Sequence, residues 1–191
     1  MSDAEAFERC VREGGVAVFP ADTVYGLACD PDDATAIERL YALKQRPPAK
    51  ASAVMFFDRA AAFAALPEIE PRTRALLERL LPGQVTVLLP NPEQRWGQAA
   101  LGLRVPDVPL LNGVTVPVLQ SSANRSGGAD ATTLDQVPQE IREQADLVLD
   151  GGALPGTPST VIDLQRYEAT GEYAIVREGA LPAARIADLA S

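Results

Sequence analysis

The hydrophobic pattern at the start of the chain predicts a helix followed by a buried strand. Ser2 and Glu5 have the spacing of a helix capping box, and apolar side chains recur on one helical face over residues 7–11 until Gly14 ends the pattern. The run VAVF at 16–19 is short, continuous and apolar, which is typical of a fully buried strand. A helix is therefore expected to precede the first strand of a sheet.

The rest of the chain alternates between short apolar runs and helical patterns. The segment ADTVYGLACD, residues 21–30, predicts a loop that leads to a helix from about Asp33 to Leu43. Because strand and helix patterns are mixed along the chain, we predict an α/β fold of the α+β type, with a large twisted mixed sheet flanked by helices. Further helices are expected near 58–66, 70–81 and 134–144 and at the C-terminus, and further strands at 53–57, 84–89, 101–105, 117–120, 146–150, 159–164 and 173–178.

Length and composition favour a single domain. The 191 residues suit one core, and the 16 prolines and 14 glycines are spread without a linker-like stretch, so one domain over residues 1–191 is expected. The N-terminus MSDAEAFER is acidic where a signal peptide is basic and then apolar, and no apolar run is long enough to span a membrane. These features predict a cytoplasmic protein without membrane contact.

The absence of histidine excludes several kinds of active site. With no histidine, Ser-His and Cys-His nucleophile pairs, imidazole bases and histidine-ligated metals are impossible. The 2 cysteines are too few for a structural zinc site. A formal net charge of −9 opposes bulk electrostatic binding to a polyanion. Any site for an anion must therefore be local.

The placement of lysine is the first sign of such a local site. Lys44 and Lys50 are the only lysines among the 17 basic residues, and both lie in the stretch KQRPPAK. Lysine is a compact ammonium that can point at one phosphate oxygen, whereas arginine presents a planar fork. Chance clustering in a solvated loop would give the same stretch, and this alternative stays open.

Polar clusters occur where predicted strands end, which is where loops present functional groups. Each cluster alone is typical of turns or of solvated arginines. Together they contain cations, hydroxyls, amides and glycines, the groups that bind a polyphosphate, and the sequence has no Walker A or GxGxxG motif. The clusters are DTVYGL, KQRPPAK, LRVPD at 103–107, SSANRSGG, GTPST at 156–160 and REG at 177–179.

The order of these segments resembles that of the YrdC-like threonylcarbamoyl-AMP synthases. PADTVYGL, LKQRP with Lys50, LPGQVTVLL, LGLRVPD, SSANRSG, LDGG, PSTVID and VREG cover nearly the whole chain, in the single-domain form of the family. The resemblance implies an enzyme that joins L-threonine, bicarbonate or CO2, and ATP into threonylcarbamoyl-AMP and pyrophosphate, with Mg²⁺ held mainly through the ATP phosphates. The product would pass to threonylcarbamoyl-transferase proteins that modify tRNA, and tRNA itself would be an indirect partner.

The resemblance also implies roles for individual residues. Lys44 and Arg46 would be catalytic and would grip the ATP phosphates, and no protein side chain is expected to be a dedicated metal ligand. The remaining ATP-binding residues would be Lys50, Ser122, Asn124 and Arg177, and the threonine-binding residues would be Thr23, Tyr25, Arg104 and Ser159. The Arg104 fork would pair with the threonine carboxylate.

Two departures from the family pattern bear on the substrate. Ala21 stands where the family usually has threonine, so a hydroxyl contact with the substrate is expected to be missing, and Ala21→Thr is expected to restore it. Lys50-Ala51-Ser52 replaces the family's KPL. Two other functions stay open: an RNA-binding module, which the net charge disfavours, and a paralogue that carbamoylates a different acceptor.

Overall fold

The architecture is a nine-stranded mixed sheet with helices on both faces. The computed structural model describes residues 1–45, 47 and 52–191. In this part of the chain the strand order is β7-β1-β2-β6-β3-β5-β4-β8-β9, and three neighbouring pairs are parallel: β1 with β7, β3 with β5, and β4 with β8. The strands are β1 (Ala17–Pro20), β2 (Tyr25–Cys29), β3 (Ala53–Met55), β4 (Val85–Pro90), β5 (Ala100–Arg104), β6 (Val118–Ser122), β7 (Leu147–Val148), β8 (Thr160–Asp163) and β9 (Ala174–Arg177). The predicted mixed sheet is confirmed.

Seven α-helices accompany these strands within the described ranges. The predicted capping box at the first helix is present, with Ser2 and Glu5 each bonding the other's backbone N–H. The helices are α1 (Asp3–Arg12), α2 (Ala34–Lys44), α3 (Arg59–Ala65), α4 (Pro71–Leu80), α5 (Gln139–Gln144), α6 (Tyr167–Thr170) and α7 (Ala183–Ala190), with short 3-10 turns at Arg95–Gly97, Pro109–Leu111 and Leu134–Gln136.

The prediction of a loop over residues 21–30 is wrong for its second half. Residues 25–29 form β2, a central strand that is antiparallel to both β1 and β6. All five residues are buried, so the strand lacks the alternation of polar and apolar positions that marks a half-exposed strand. The predicted helix at 134–144 is also shorter, because Pro138 separates a 3-10 turn from α5.

The two faces of the sheet are covered to different extents. One face carries Leu119, Val54, Leu103, Val87 and Ile162 in register across five strands, and helices α2 to α5 and α7 pack on it. On the other face, α1 and the 109–111 turn cover an apolar cluster over β1, β2, β3 and β6. The rest of this second face carries polar side chains, among them Gln120 of β6, Arg104 of β5 and Thr86 of β4, and it forms the floor of the candidate site.

Candidate active site

A cavity of about 200 Å³ lies on the polar part of the second face. Because paired residues of neighbouring strands point to the same side, Thr86, Val161 and Arg177 face the cavity together. A larger groove of about 690 Å³ runs beside α1 and residues 112–115, but it lacks this convergence of cations and hydroxyls from different strands. The charged and hydroxyl groups that line the cavity include Thr23, Thr86, Arg104, Ser122, Ser159 and Arg177.

Arg104 is held by a buried ion pair at one end of the cavity. Its Nη2 donates to Asp22 Oδ1 at 2.6 Å, and the two side chains are 5% and 6% exposed. Its Nη1 donates to Gln120 Oε1 at 3.2 Å, and Nη2 lies 3.5 Å from Thr23 Oγ1. Burial lowers the pKa of the Arg104 guanidinium, and the Asp22 carboxylate opposes that shift. Arg104 therefore meets the cavity with part of its charge already balanced.

Ser159 and Arg177 are fixed beside this pair. Ser159 Oγ lies 2.9 Å from Thr86 Oγ1, and Arg177 Nη2 donates to the Ser159 carbonyl oxygen at 2.7 Å. Gly179 allows the chain after β9 to lie against the loop before β8, because a Cβ at position 179 would overlap the Pro158 carbonyl oxygen. The loop before β8 and the end of β9 are thereby joined into one wall of the cavity.

Lys44 connects the end of α2 to the loop that follows β6. Its side chain is buried, and its Nζ donates to Asn124 O at 2.9 Å, to Asn124 Oδ1 at 2.8 Å and to the Ser122 carbonyl oxygen. The Ser122 hydroxyl donates to Asn124 Oδ1 at 2.8 Å, and Asn124 Nδ2 lies 3.2 Å from Asp130 Oδ1. The lysine and the SxN triplet, which are 78 to 80 residues apart, therefore form one polar cluster.

Known proteins that are similar to this chain identify its family. The model of the family Sua5_yciO_yrdC, described as telomere recombination, matches residues 9–179. The chain belongs to the Sua5/YciO/YrdC family. The threonylcarbamoyl-AMP synthase of Chromohalobacter salexigens is 37% identical over 83% of this chain and 90% of that protein. The synthase of Pseudomonas putida strain KT2440 is 38% identical over 90% of this chain and 94% of that protein.

Two solved structures share the fold of this family member. P. abyssi Sua5 complexed with L-threonine has a TM-score of 0.84 and 27% identity, and the match covers 97% of this chain and 56% of that one. E. coli YciO has a TM-score of 0.75 and 28% identity, and covers 93% of this chain and 89% of that one. The chain thus spans just over half the length of P. abyssi Sua5.

The structure brings most of the predicted site residues together, with some exceptions. Thr23, Arg104, Ser122, Ser159 and Arg177 line the cavity, and Lys44 and Asn124 adjoin it. Arg46 and Lys50 lie outside the described residues.

Tyr25 points elsewhere. Its hydroxyl lies 2.9 Å from both Asp150 Oδ1 and the Gly152 carbonyl oxygen, and it accepts from the Gly151 N–H at 3.0 Å. Tyr25 is not among the residues that line the cavity. Its predicted contact with threonine stays a prediction, and the contacts described here anchor the 150–152 turn.

Sequence reasoning missed Asp22, Gln120 and Asp130. Asp22 stands inside the TVYGL-containing segment, directly before Thr23, and Gln120 is the middle residue of β6, where it follows two apolar residues. Both are visible in the sequence as polar residues beside apolar runs, but their contacts with Arg104 depend on how distant strands and turns come together. In the described part of the chain, no group of three or more acidic or cysteine side chains could hold a metal ion, and no helix could cross a membrane.

Proposed function

We propose that this family member is a threonylcarbamoyl-AMP synthase, which converts L-threonine, bicarbonate or CO2, and ATP into threonylcarbamoyl-AMP and pyrophosphate. The observation that carries the proposal is the convergence of Arg104, Arg177 and several hydroxyls on one cavity beside the Lys44 cluster. Relatives named threonylcarbamoyl-AMP synthase, similar over most of their length, support the same reaction.

The reaction needs anions held together and does not need a protein nucleophile. The threonine nitrogen bonds to the carbon of CO2 and loses a proton, and the resulting carbamate oxygen attacks the α-phosphorus of ATP. The bond from that phosphorus to the β-phosphate oxygen breaks, and pyrophosphate leaves. Binding groups accelerate such a reaction by orienting the reactants and by stabilising charge on the phosphorus oxygens.

The thiols of the chain fit this interpretation. Burial raises the pKa of Cys29 to about 12 and that of Cys10 to about 11, so both are neutral thiols at physiological pH. A neutral buried thiol is a poor nucleophile. Neither cysteine lines the cavity.

The two ends of the cavity suit different substrates. We assign the threonine carboxylate to the Arg104 end, where a planar guanidinium, Thr23 and Ser159 are available. We assign the ATP phosphates to the end formed by Lys44, Ser122 and Asn124. Arg177 lines the same cavity, where its Nη2 donates to the Ser159 carbonyl oxygen, and it remains a predicted ATP ligand. Arg46 and Lys50 remain predicted ATP ligands.

Mg²⁺ would neutralise the phosphate charge when bound with ATP. Asp130 is an acidic residue that lines the cavity and supplies carboxylate oxygens of the kind that Mg²⁺ prefers, although its Oδ1 accepts from Asn124 Nδ2 and the Asn124 amide oxygen accepts from Lys44 and Ser122. A single carboxylate does not make a complete cation site. The proposal is therefore that ATP supplies most of the metal ligands.

We also propose that the protein acts in the cytoplasm and delivers its product to threonylcarbamoyl-transferase proteins. Direct tRNA binding is not part of this proposal, because a net charge of −9 opposes it. The alternative of an RNA-binding module predicts salt-sensitive RNA binding with no turnover. A paralogue with another acceptor predicts turnover with a different amino compound.

The test is pyrophosphate release from ATP and Mg²⁺ with each amino acid in turn, with and without bicarbonate. We expect release to require both threonine and bicarbonate. Equal ATP turnover without threonine would refute the synthase assignment. A parallel RNA titration at several salt concentrations distinguishes the binding-module alternative.

A further inference from the structure

The turn between β1 and β2 is fastened over the cavity by contacts from distant elements. The Gln84 side chain donates to the Asp22 carbonyl oxygen at 3.0 Å, and the Gly156 N–H donates to the Thr23 carbonyl oxygen at 2.9 Å. The ion pair between Asp22 and Arg104 adds a third attachment. The backbone that carries the Asp22 side chain is therefore fixed at two consecutive carbonyl groups, which sets where the carboxylate meets the guanidinium.

This ion pair differs from the others that the structure describes. The remaining pairs within the described ranges have at least one side chain that is 44% exposed or more, whereas Asp22 and Arg104 are 6% and 5% exposed. A buried ion pair contributes little net stability compared with apolar packing, although loss of one partner is costly. Its presence at a cavity wall is better explained by what it does for Arg104.

The hydrogen bonds of Arg104 leave donors for a ligand. A guanidinium has five N–H groups in a fixed plane. Nη2 donates to Asp22 and lies 3.5 Å from Thr23, and Nη1 donates to Gln120, so each of these two nitrogens has a second N–H for a ligand, while Nε is buried and has no partner among the described residues. Since the group is rigid and planar, fixing Nη2 on Asp22 and Nη1 on Gln120 sets the direction of every other N–H. A carboxylate ligand then meets donors that are already oriented.

The charges of the side chains near Arg104 also favour the binding of one carboxylate. Arg104 and Arg177 both line the cavity and carry two positive charges, and Asp22 contributes one negative charge. These three side chains carry a net charge of +1 at the Arg104 end of the cavity, whereas Asp130, which also lines the cavity, lies beside Asn124. Without Asp22 the same wall would carry +2, and Arg104 would be free to turn toward other acceptors.

We propose that Asp22 is a positioning residue that holds the Arg104 guanidinium in the orientation that binds the threonine carboxylate. The inference rests on the proposed synthase function and adds to it a residue that determines threonine affinity. Asp22 acts through Arg104, and its buried Oδ2 does not line the cavity.

The main test is steady-state pyrophosphate release by Asp22→Asn. We expect the KM for threonine to rise at least about 10-fold, with kcat and the KM for ATP within about 2-fold, because a ground-state carboxylate contact is weakened. Asp22→Glu keeps the charge and should have a threonine KM within about 3-fold of wild type. Asp146→Asn makes the same chemical change in the half-exposed pair with Arg39, away from the cavity, and should leave both KM values unchanged.

A double variant keeps the inference testable if Asp22→Asn does not fold. Asp22→Asn with Arg104→Gln removes both buried charges, a change that proteins tolerate better than loss of one partner. If Asp22 acts through Arg104, its threonine KM should equal that of Arg104→Gln alone. A further rise would show that Asp22 has an independent role.

Three results would overturn the inference. The first is a wild-type threonine KM in Asp22→Asn. The second is a lower threonine KM, which would show that Asp22 competes with the substrate for Arg104. The third is an equal rise in the KM values for threonine and ATP, which would show that Asp22 stabilises the fold in general. Failure of the synthase assignment looks different, because the wild-type protein would then lack threonine-dependent pyrophosphate release.

Discussion

Ala21→Thr tests whether a hydroxyl at this position reaches the substrate or enters the core. The family resemblance suggests the first outcome. In the structure, Ala21 is 3% exposed and belongs to the apolar cluster that includes Phe7, Phe19 and Leu149. It is not among the residues that line the cavity. The substitution therefore adds a methyl and a hydroxyl to a closed apolar space, and we no longer expect it to tighten threonine binding.

Two contributions set the size of the expected effect. Overpacking a filled core costs about 1 to 3 kcal/mol, and a buried hydroxyl without a partner costs about 1 to 3 kcal/mol. With partial relaxation, we expect the free energy of unfolding to fall by about 2 to 4 kcal/mol, which lowers the melting temperature of a chain of this length by roughly 4 to 16 °C. A hydrogen bond to the substrate would instead lower the threonine KM roughly 2- to 12-fold.

The assay combines urea unfolding with the threonine KM for wild type, Ala21→Thr and Ala21→Val. Valine has nearly the shape of threonine without its hydroxyl, so the pair separates overpacking from the cost of burying a polar group. We expect Ala21→Thr to be less stable than Ala21→Val by about 1 kcal/mol or more, with the wild-type KM in both. A lower threonine KM in Ala21→Thr alone would refute the reasoning and place position 21 at the substrate.

Three other substitutions test the assignment of the cavity. Lys44→Arg should lower turnover on the order of 100-fold, because a planar guanidinium cannot take the place of Nζ among the oxygens of Ser122 and Asn124. Wild-type turnover in this variant would contradict the assigned role of Lys44. Arg104→Ala should raise the threonine KM roughly 10- to 150-fold and the ATP KM far less, since a charge-assisted pair contributes about 1.5 to 3 kcal/mol. A selective rise in the ATP KM would show that Arg104 lies at the ATP end of the cavity and would contradict our assignment. Tyr25→Phe should lower the free energy of unfolding by about 1 kcal/mol or more and leave the KM values for threonine and ATP unchanged, because the Tyr25 hydroxyl bonds the 150–152 turn. A raised threonine KM would instead support the predicted contact of Tyr25 with threonine.

Features that depend on neighbours in the chain could be predicted well. The capping box of α1 joins residues three apart, and the start of α2 follows from the Asp33 side chain, which accepts from the N–H groups of Thr35 and Ala36. The mixed sheet followed from the alternation of strand and helix patterns. Such features are local, because the groups that interact lie within one turn of a helix or one short run of a strand.

The strand β2 shows where local patterns mislead. Residues 21–30 contain Asp, Gly and Thr, which are typical of a loop, yet residues 25–29 are central in the sheet and completely buried. Burial on both faces removes the polar alternation that identifies a strand, and the pairing with β6 joins residues about 90 positions apart, such as Leu27 and Ser121. No window of the sequence contains that pairing.

The amino-acid sequence alone specifies which chemical groups are available: no histidine, two lysines in one stretch, and polar clusters at strand ends. The pairing of those groups depends on the folded arrangement of the strands and turns. Asp22 and Arg104 are 82 residues apart, and they meet because the β1–β2 turn reaches across β6 and β3, the two strands that separate β2 from β5. The tertiary structure also brings the Tyr25 hydroxyl to the 150–152 turn and buries Ala21 in a cluster with Phe7 and Leu149, because these contacts join elements that are distant in the chain.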